Sequence, residues 1–471
     1  MSAISLWTRR PRSTEWAGLA IGSAIATAIA VAIVGPIAGV ALIIGLFMLV
    51  GVIAAPGIVL AAYLLVEFYK GALQANSPID ITIFLALANA VQVAPLLFDS
   101  RPRAVSRVGI ALWLSLGFLV LGGVVYAPDQ SLALGNAVTY WALVILPILP
   151  AAMRVGTEPR YVKQFLWTFL AMGVVIVALG LTQLSGSNRL VVLGMNTIQM
   201  SRGALLVPLL GIAFVLPERR RLASAVTVVL IPASFVVAIA SGSRGPLLVF
   251  VLMGLASAIG YMARLHAIRW RLVGGVAGLA LASIFVTSIA APNLPAQSLG
   301  RFSSLGDFIG SGLSGDPAAA GGETSATARV RLFQYAIEMF VERPLIGAGT
   351  GGFAALSRSA LGPDADTYPH DAILQVAAEF GLLGLALFLG VIALGLVRPL
   401  PKGHAGVAIR ALFLFFLLNA AVSGDIFSDR ETLGLLLVIL AIEVPRLVAA
   451  PISPPAGERP TPSVARPTNA T

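Results

Sequence analysis

The 471 residues contain no cysteine, so disulfides and thiol catalysis are excluded, and the redox compartment cannot be read. Charge is scarce as well: 11% of the residues are charged, against roughly 25% in a soluble domain. Apolar residues take their place, at 58% hydrophobic and a mean hydropathy of +0.93. A chain this poor in charge is a polytopic membrane protein. The strict apolar–polar alternation of a spanning β-barrel is also missing, which leaves helices to satisfy the backbone in hydrocarbon. The expected fold is an all-α, polytopic helical bundle.

The net charge of +10 and pI near 10.5 invite a nucleic-acid reading. The basic residues, however, sit mainly in short connections between apolar runs, as the positive-inside rule requires. No nucleic-acid partner is expected. Runs long enough to cross about 30 Å of hydrocarbon are read at 17–34, 37–55, 57–69, 79–98, 108–126, 132–153, 165–184 and 204–216. Further runs lie at 222–240, 246–261, 272–290, 372–397, 407–422 and 432–444. That makes twelve to fourteen spans, the short run at 57–69 leaving the lower figure open. The segments holding Arg9–Arg12, Arg101–Arg107, Arg154–Lys163, Arg219–Arg221, Arg264–Arg271 and Arg398–Lys402 are basic and expected in the cytoplasm. The first run is expected to be an uncleaved span, because a second apolar run follows it at once.

This divides the chain into a membrane bundle at 1–290, one large extracytoplasmic loop at 291–369, further membrane helices at 370–450 and a tail at 451–471. The tail is rich in Pro, Ser and Thr and is expected to be a disordered cytoplasmic segment. Within the loop, residues 291–322 are rich in Gly, Ser and Pro and read as irregular. Residues 327–341 read as an amphipathic helix, with Val330, Phe333, Ile337 and Phe340 at helical spacing. Loops of this length inside a compact protein usually carry function.

Two motifs are set aside. Gly347–Gly352 reads GAGTGG and matches a dinucleotide fingerprint, but it lacks the flanking strand and helix of a βαβ unit, so a tight turn is expected. Asp364 and Asp366 resemble the metal-binding pair of nucleotide-sugar transferases, yet they fall in the extracytoplasmic loop and read as solvated. No metal cage is expected, since one histidine and scattered acids supply no ligand set.

Polar residues near a membrane are expensive and tend to be functional, and three groups stand out. Ser201-Arg202-Gly203 opens one span, and Ser241-Gly242-Ser243-Arg244-Gly245 forms a turn between two others. His370-Asp371 begins a helix on which Gln375 and Glu379 extend the stripe started by Asp371 at four-residue spacing. Arginine presents a planar, permanently charged fork suited to phosphate oxygens. Gly203 and Gly245 would let a substrate approach the backbone. A neutral imidazole at His370 would accept a proton from a hydroxyl and so serve as a general base. Asp371 would orient it or cap the helix.

The segment HDAILQVAAEFGLLG from His370 to Gly384 follows a pattern of histidine, a polar residue, nine residues and Gly-x-x-Gly. Together with RPLIGAGTGGF at Arg343–Phe353 and SGSRG at Ser241–Gly245, it resembles the O-antigen ligase/polymerase superfamily. The resemblance spans roughly residues 195–431 and implies a GT-C-like membrane glycosyltransferase of the bacterial inner membrane, with its site facing the periplasm. Such an enzyme transfers a glycan from undecaprenyl pyrophosphate to an acceptor sugar, on lipid A–core or on a growing polysaccharide, without a metal or other cofactor. By the same resemblance His370 is the base, Arg202 and Arg244 hold the donor pyrophosphate, and Arg329 or Arg331 matches a further loop arginine. Ser243, Asp371, Gln375 and Glu379 join them as expected substrate-binding residues. Asp371 departs from the Asn, Ser or Gln usual after the histidine in ligases, and the higher span count exceeds their twelve. Both departures leave repeat-unit polymerisation open. A lipid-linked oligosaccharide flippase is the reading from another class, but no internal repeat of the kind transporters show is visible.

The alternation of basic connections generates a direct test. A cysteine introduced at Ser311 of this cysteine-free protein should react with an impermeant maleimide on intact spheroplasts. Labelling only after lysis would invert the topology.

Overall fold

The protein is described by a computed structural model covering residues 50–74, 80–97, 105–184, 190–218, 221–265, 325–362 and 367–443, without the side chains of 258–265 and 325–327. The runs expected at 17–34 and 272–290, most of that at 37–55, the irregular stretch 291–322, Asp364 and Asp366, and the tail lie outside the described residues.

Among the described residues the chain is all-helical, with no strand. The elements are α1 (Pro56–Leu64), α2 (Ile81–Ala90), α3 (Arg107–Gly123), α4 (Gln130–Gly156) and α5 (Pro159–Thr182). They continue as α6 (Thr197–Val215), α7 (Arg221–Ala240) and α8 (Arg244–Leu265). The expected extracytoplasmic loop contributes α9 (Ser325–Glu342) and α10 (Gly352–Leu361). Then come α11 (Ala372–Val397), α12 (His404–Ser423) and α13 (Arg430–Ala441). Six of these, α4 to α7, α11 and α12, are long and apolar enough to cross a membrane. The chain is a multi-pass membrane protein.

Local chemistry sets the boundaries. Ser106 caps α3 by accepting from the Gly109 amide at 3.2 Å. Asn196 and Gln199 close a reciprocal capping box on α6, at 2.8 and 3.1 Å. Pro159 opens α5 where its missing N–H costs nothing.

Three expected spans need correction. The run at 57–69 is not a spanning helix: α1 has 9 residues and passes into a 3-10 turn at Val66–Phe68. At 1.5 Å per residue it is about 14 Å long. It is apolar because protein surrounds it, as the complete burial of Leu60, Tyr63, Leu64 and Phe68 shows. The run at 79–98 breaks after Ala90, where Asn89 Nδ2 donates to Leu85 O at 2.8 Å and Gln92 Nε2 to Val52 O at 2.6 Å. The run at 432–444 forms a helix of only 12 residues, α13, buried over nearly its whole length. For 57–69 and 432–444, burial in the bundle mimics the hydropathy of a span, whereas the 79–98 run keeps Ile83, Leu87 and Leu97 exposed and is an apolar helix interrupted at residues 91–92.

The helix at 327–341 is present as α9, but a different edge faces inward. Leu332, Ala336 and Met339 pack on Ala348, Phe353 and Ala378, while Ile337 of the expected stripe is 49% exposed. Two apolar edges adjoin on this helix, each with spacing i, i+4, i+7, so periodicity alone could not choose between them.

Long helices alternate in direction and give the bundle two chemically distinct ends. At the basic end, Arg398 donates to Ile439 O at 3.0 Å and Ile442 O at 2.8 Å, and Arg410 donates to the Leu396 and Arg398 carbonyls. These cations meet the negative ends of helix dipoles. Gly156 O accepts from the Glu443 amide at 3.2 Å there, joining the ends of α4 and α13. At the opposite end gather the starts of α6, α8, α11 and α13 and the end of α12.

One helix is interrupted in its backbone. At Gly381 α11 leaves helical geometry, with φ 61° and ψ −157°. The break deprives the Ala378 and Glu379 carbonyls, and the Leu382 and Leu383 amides, of the partners a continuous helix would give them. The segment from Pro344 to Gly349 replaces all four. Ala348 N–H donates to Ala378 O at 3.0 Å and Gly349 N–H to Glu379 O at 2.8 Å, while Leu382 N–H donates to Pro344 O at 2.7 Å and Leu383 N–H to Leu345 O at 3.2 Å. The glycine motif forms the expected turn, with Gly352 N–H donating to Gly349 O at 2.9 Å, and serves at the same time as a buried clasp. Gly347 has φ +69°, and a Cβ there would lie 2.3 Å from the Glu379 carbonyl carbon. Thr350 extends the clasp to α3, its hydroxyl donating to Val120 O at 2.6 Å.

A methyl group at Gly381 would lie 2.4 Å from the Leu345 carbonyl carbon, in a backbone region reserved for glycine. Gly381→Ala should therefore destabilise the protein by about 2–4 kcal/mol, combining strain and displacement of the clasp. Thermal unfolding in detergent measures this, and an unchanged Tm would show that the break is not required.

Candidate active site

His370 stands immediately before α11 with φ +58°, a left-handed conformation uncommon for a residue with a side chain. Backbone strain of this kind gathers at functional sites and persists only where surroundings enforce it. The next residue is part of that enforcement: Asp371 caps α11, its Oδ1 accepting from the Ile373 amide at 2.8 Å and the Leu374 amide at 3.0 Å. Burial pushes the Asp371 carboxyl above the usual carboxylate range, with the two amide donors opposing this only in part. The Tyr368 ring lies 4.4 Å from the imidazole, centroid to centroid, tilted by 59°.

Arg202 sits in the second turn of α6 and reaches the last turn of α12. Its Nη2 donates to Asn419 O at 3.2 Å and Ser423 O at 3.4 Å. Its charge also acts on the Asp429 and Glu431 carboxylates at the start of α13. The guanidinium Nε is buried and meets no acceptor among the described residues.

Arg244 is the first residue of α8 and is set by the turn before it. Ser241 Oγ donates to Ala238 O at 2.7 Å and accepts from the Ser243 amide at 3.3 Å, and Gly242 takes φ +74°. A Cβ on Gly245 would stand 3.5 Å from the Val422 side chain. The segments bearing Arg202 and Arg244 thus both border the final turn of α12. Ser243 lies within the turn, half-buried.

The connection after α12 ties this arginine region to the start of α11. Gln375 Nε2 donates to Asp425 Oδ1 at 3.0 Å, and Gln375 Oε1 accepts from the Ile426 amide at 3.0 Å. Asp425 Oδ1 also accepts from the Phe427 amide at 3.2 Å. His370, Asp371, Gln375, Asp425, Arg202 and Arg244 accordingly occupy one end of the bundle, joined through α12 and its following turn. Gln375 and Glu379 lie on the expected face of α11 but are enclosed rather than open, at 1% and 0% exposure. Glu379 Oε2 accepts from the Gly351 amide at 2.9 Å. Arg329 and Arg331 lie early in α9, Arg329 half-buried and Arg331 exposed. Their helix adjoins the cluster through its packing on α10 and α11.

Sequence reasoning passes over Asp425, Asp429, Arg430 and Glu431. Asp429 caps α13 by accepting from the Thr432 amide at 3.2 Å. Arg430 pairs with Glu67 and lies over the Tyr63 ring, 5.5 Å from its centroid. A signal for them is present, because GDIFSDRE packs four charges into a short connection between two apolar runs.

Residues 227–389 match a family model described as O-antigen ligase. The match runs from α7 into α11 and so contains Arg244, the clasp, His370 and Gly381. Arg202 and the turn after α12 lie outside it. Over this region the resemblance to the O-antigen ligase/polymerase superfamily read from the sequence is shown. No curated protein matches the chain.

The capping role of Asp371 can be separated from any chemistry. Asp371→Asn keeps an acceptor for the Ile373 and Leu374 amides and should hold the thermal midpoint, whereas Asp371→Ala should lose about 1 kcal/mol. Equal losses in both variants would show that the charge, rather than the cap, is what the helix uses.

Proposed function

We propose that the protein is a membrane glycosyltransferase that moves a glycan from undecaprenyl pyrophosphate to an acceptor sugar hydroxyl. The observation that carries this reading is the gathering of His370, Arg202 and Arg244 at one end of a bundle containing an O-antigen ligase-type region. By the alternation of basic connections this end faces the periplasm of the bacterial inner membrane. The lipid tail of the donor stays in the bilayer while its pyrophosphate meets the arginines.

In the proposed reaction the acceptor oxygen attacks the anomeric carbon, the bond from that carbon to the pyrophosphate oxygen breaks, and His370 takes the hydroxyl proton. The anomeric centre inverts. Negative charge grows on the departing pyrophosphate, where Arg202 and Arg244 stabilise it more strongly than in the bound donor. Arg329 or Arg331 supplies a further cation from the loop side, and Ser243 and Asp371 border the sugar. The reaction uses no metal. The acceptor is lipid A–core in ligation and a second lipid-linked glycan in polymerisation, and the same groups serve both.

Transfer is tested in proteoliposomes with a defined lipid-linked donor and each acceptor separately. His370→Gln keeps a hydrogen-bonding side chain without the proton acceptor and should lose about 10²–10⁴-fold in turnover. Arg244→Ala should abolish transfer, and Arg244→Lys should restore little of it because lysine lacks the planar fork. Wild-type turnover in His370→Gln would remove the histidine from proton transfer.

A further inference from the structure

We propose that Glu379 is a positioning residue that holds the His370-bearing segment in place by capping α10 from a neighbouring helix. The inference rests on the role of His370 argued above. Glu379 is fully enclosed, so its carboxylate does not touch a substrate arriving from outside. It lies instead at the start of α10, where Gly351 is the N-cap residue, with φ +67° and no side chain to offer the exposed amides. Glu379 Oε2 accepts from the Gly351 amide at 2.9 Å. A helix start leaves its first amides without internal partners and presents partial positive charge. A carboxylate from α11 supplies what the glycine cannot.

The bond has a topological effect. Gly351 and Glu379 are 28 residues apart in sequence, and everything between them, α10, Tyr368 and His370 included, is a loop closed at its base by this contact. The backbone bonds of Ala348 and Gly349 to α11 lie just outside the same base. His370 has a left-handed backbone, so its imidazole direction depends on how firmly the two ends of this loop are held. Glu379 joins the two ends side chain to backbone. Removing it frees the start of α10.

The experiment uses the full chain in proteoliposomes, with cysteines introduced at Ser359 on α10 and Ser131 on α4 for spin labelling, both exposed. The unmodified carboxylate should give a narrow distance distribution between the labels. Glu379→Ala should broaden it and lower kcat by about 10²-fold, the cost of a misplaced reacting group, with donor KM little changed. Glu379→Gln retains an acceptor for the Gly351 amide and should restore both the narrow distribution and most of kcat. A narrow distribution with full kcat in Glu379→Ala overturns the proposal. So does a Gln variant as damaged as the Ala variant, which also decides the matter should Glu379→Ala not fold. Absence of transfer by the wild-type protein from any lipid-linked donor would sink the functional reading, and the distances would still report whether Glu379 holds α10.

Discussion

The arrangement depends on four backbone groups that a broken helix would otherwise leave unpaired. Inside a bundle of apolar side chains an unbonded carbonyl or amide costs far more than at a wet surface. The interruption at Gly381 is therefore tolerable only because the Pro344–Gly349 segment supplies two donors and two acceptors in register with the gap. Each partner needs the other. The glycine segment has no strand or helix of its own to satisfy it, and α11 has lost its internal partners at the break. The two form a single unit that carries α9 and α10 on one side and His370 on the other.

A second constraint governs the arginines. Arg202 meets carbonyls at the C-terminal end of α12, where the helix dipole favours a cation, and α8 begins beside the same turn. Burial pushes the Asp429 and Glu431 carboxyls at the start of α13 above the usual range, and the charge of Arg202 opposes this in part. The end of the bundle is thus a mosaic of helix termini whose partial charges and side chains balance one another. Such a surface holds a guanidinium firmly while leaving some of its donors unspent, the buried Nε of Arg202 among them.

Much of this is legible in the amino-acid sequence. Scarcity of charge marks the membrane class, helical periodicity locates α9, and the rule that polar residues near a membrane are costly singles out Arg202, Arg244 and His370. What hydropathy cannot separate is burial in lipid from burial in protein, and so 57–69 and 432–444 read as spans, while the interruption within 79–98 leaves no mark on its apolar run. The clasp is illegible for a related reason. GAGTGG and EFGLLG each read as a local glycine pattern, and only three-dimensional pairing shows that the glycines of one make room for the backbone of the other. Gln375 and Glu379 appear correctly on one face of α11, but periodicity says nothing about what covers a face.

The clasp also orders the birth of the molecule. Residues 344–349 leave the ribosome before 378–383, yet neither segment has its final partners until both are present. A continuous helix is the default for an apolar run entering a bilayer, since it satisfies every backbone group internally. For α11 to adopt its interrupted form, the 344–349 segment must lie against it, because among the described residues those alone supply the partners that the break leaves open. Breaking this helix and seating the clasp are thereby one coupled event, since neither segment satisfies its backbone alone.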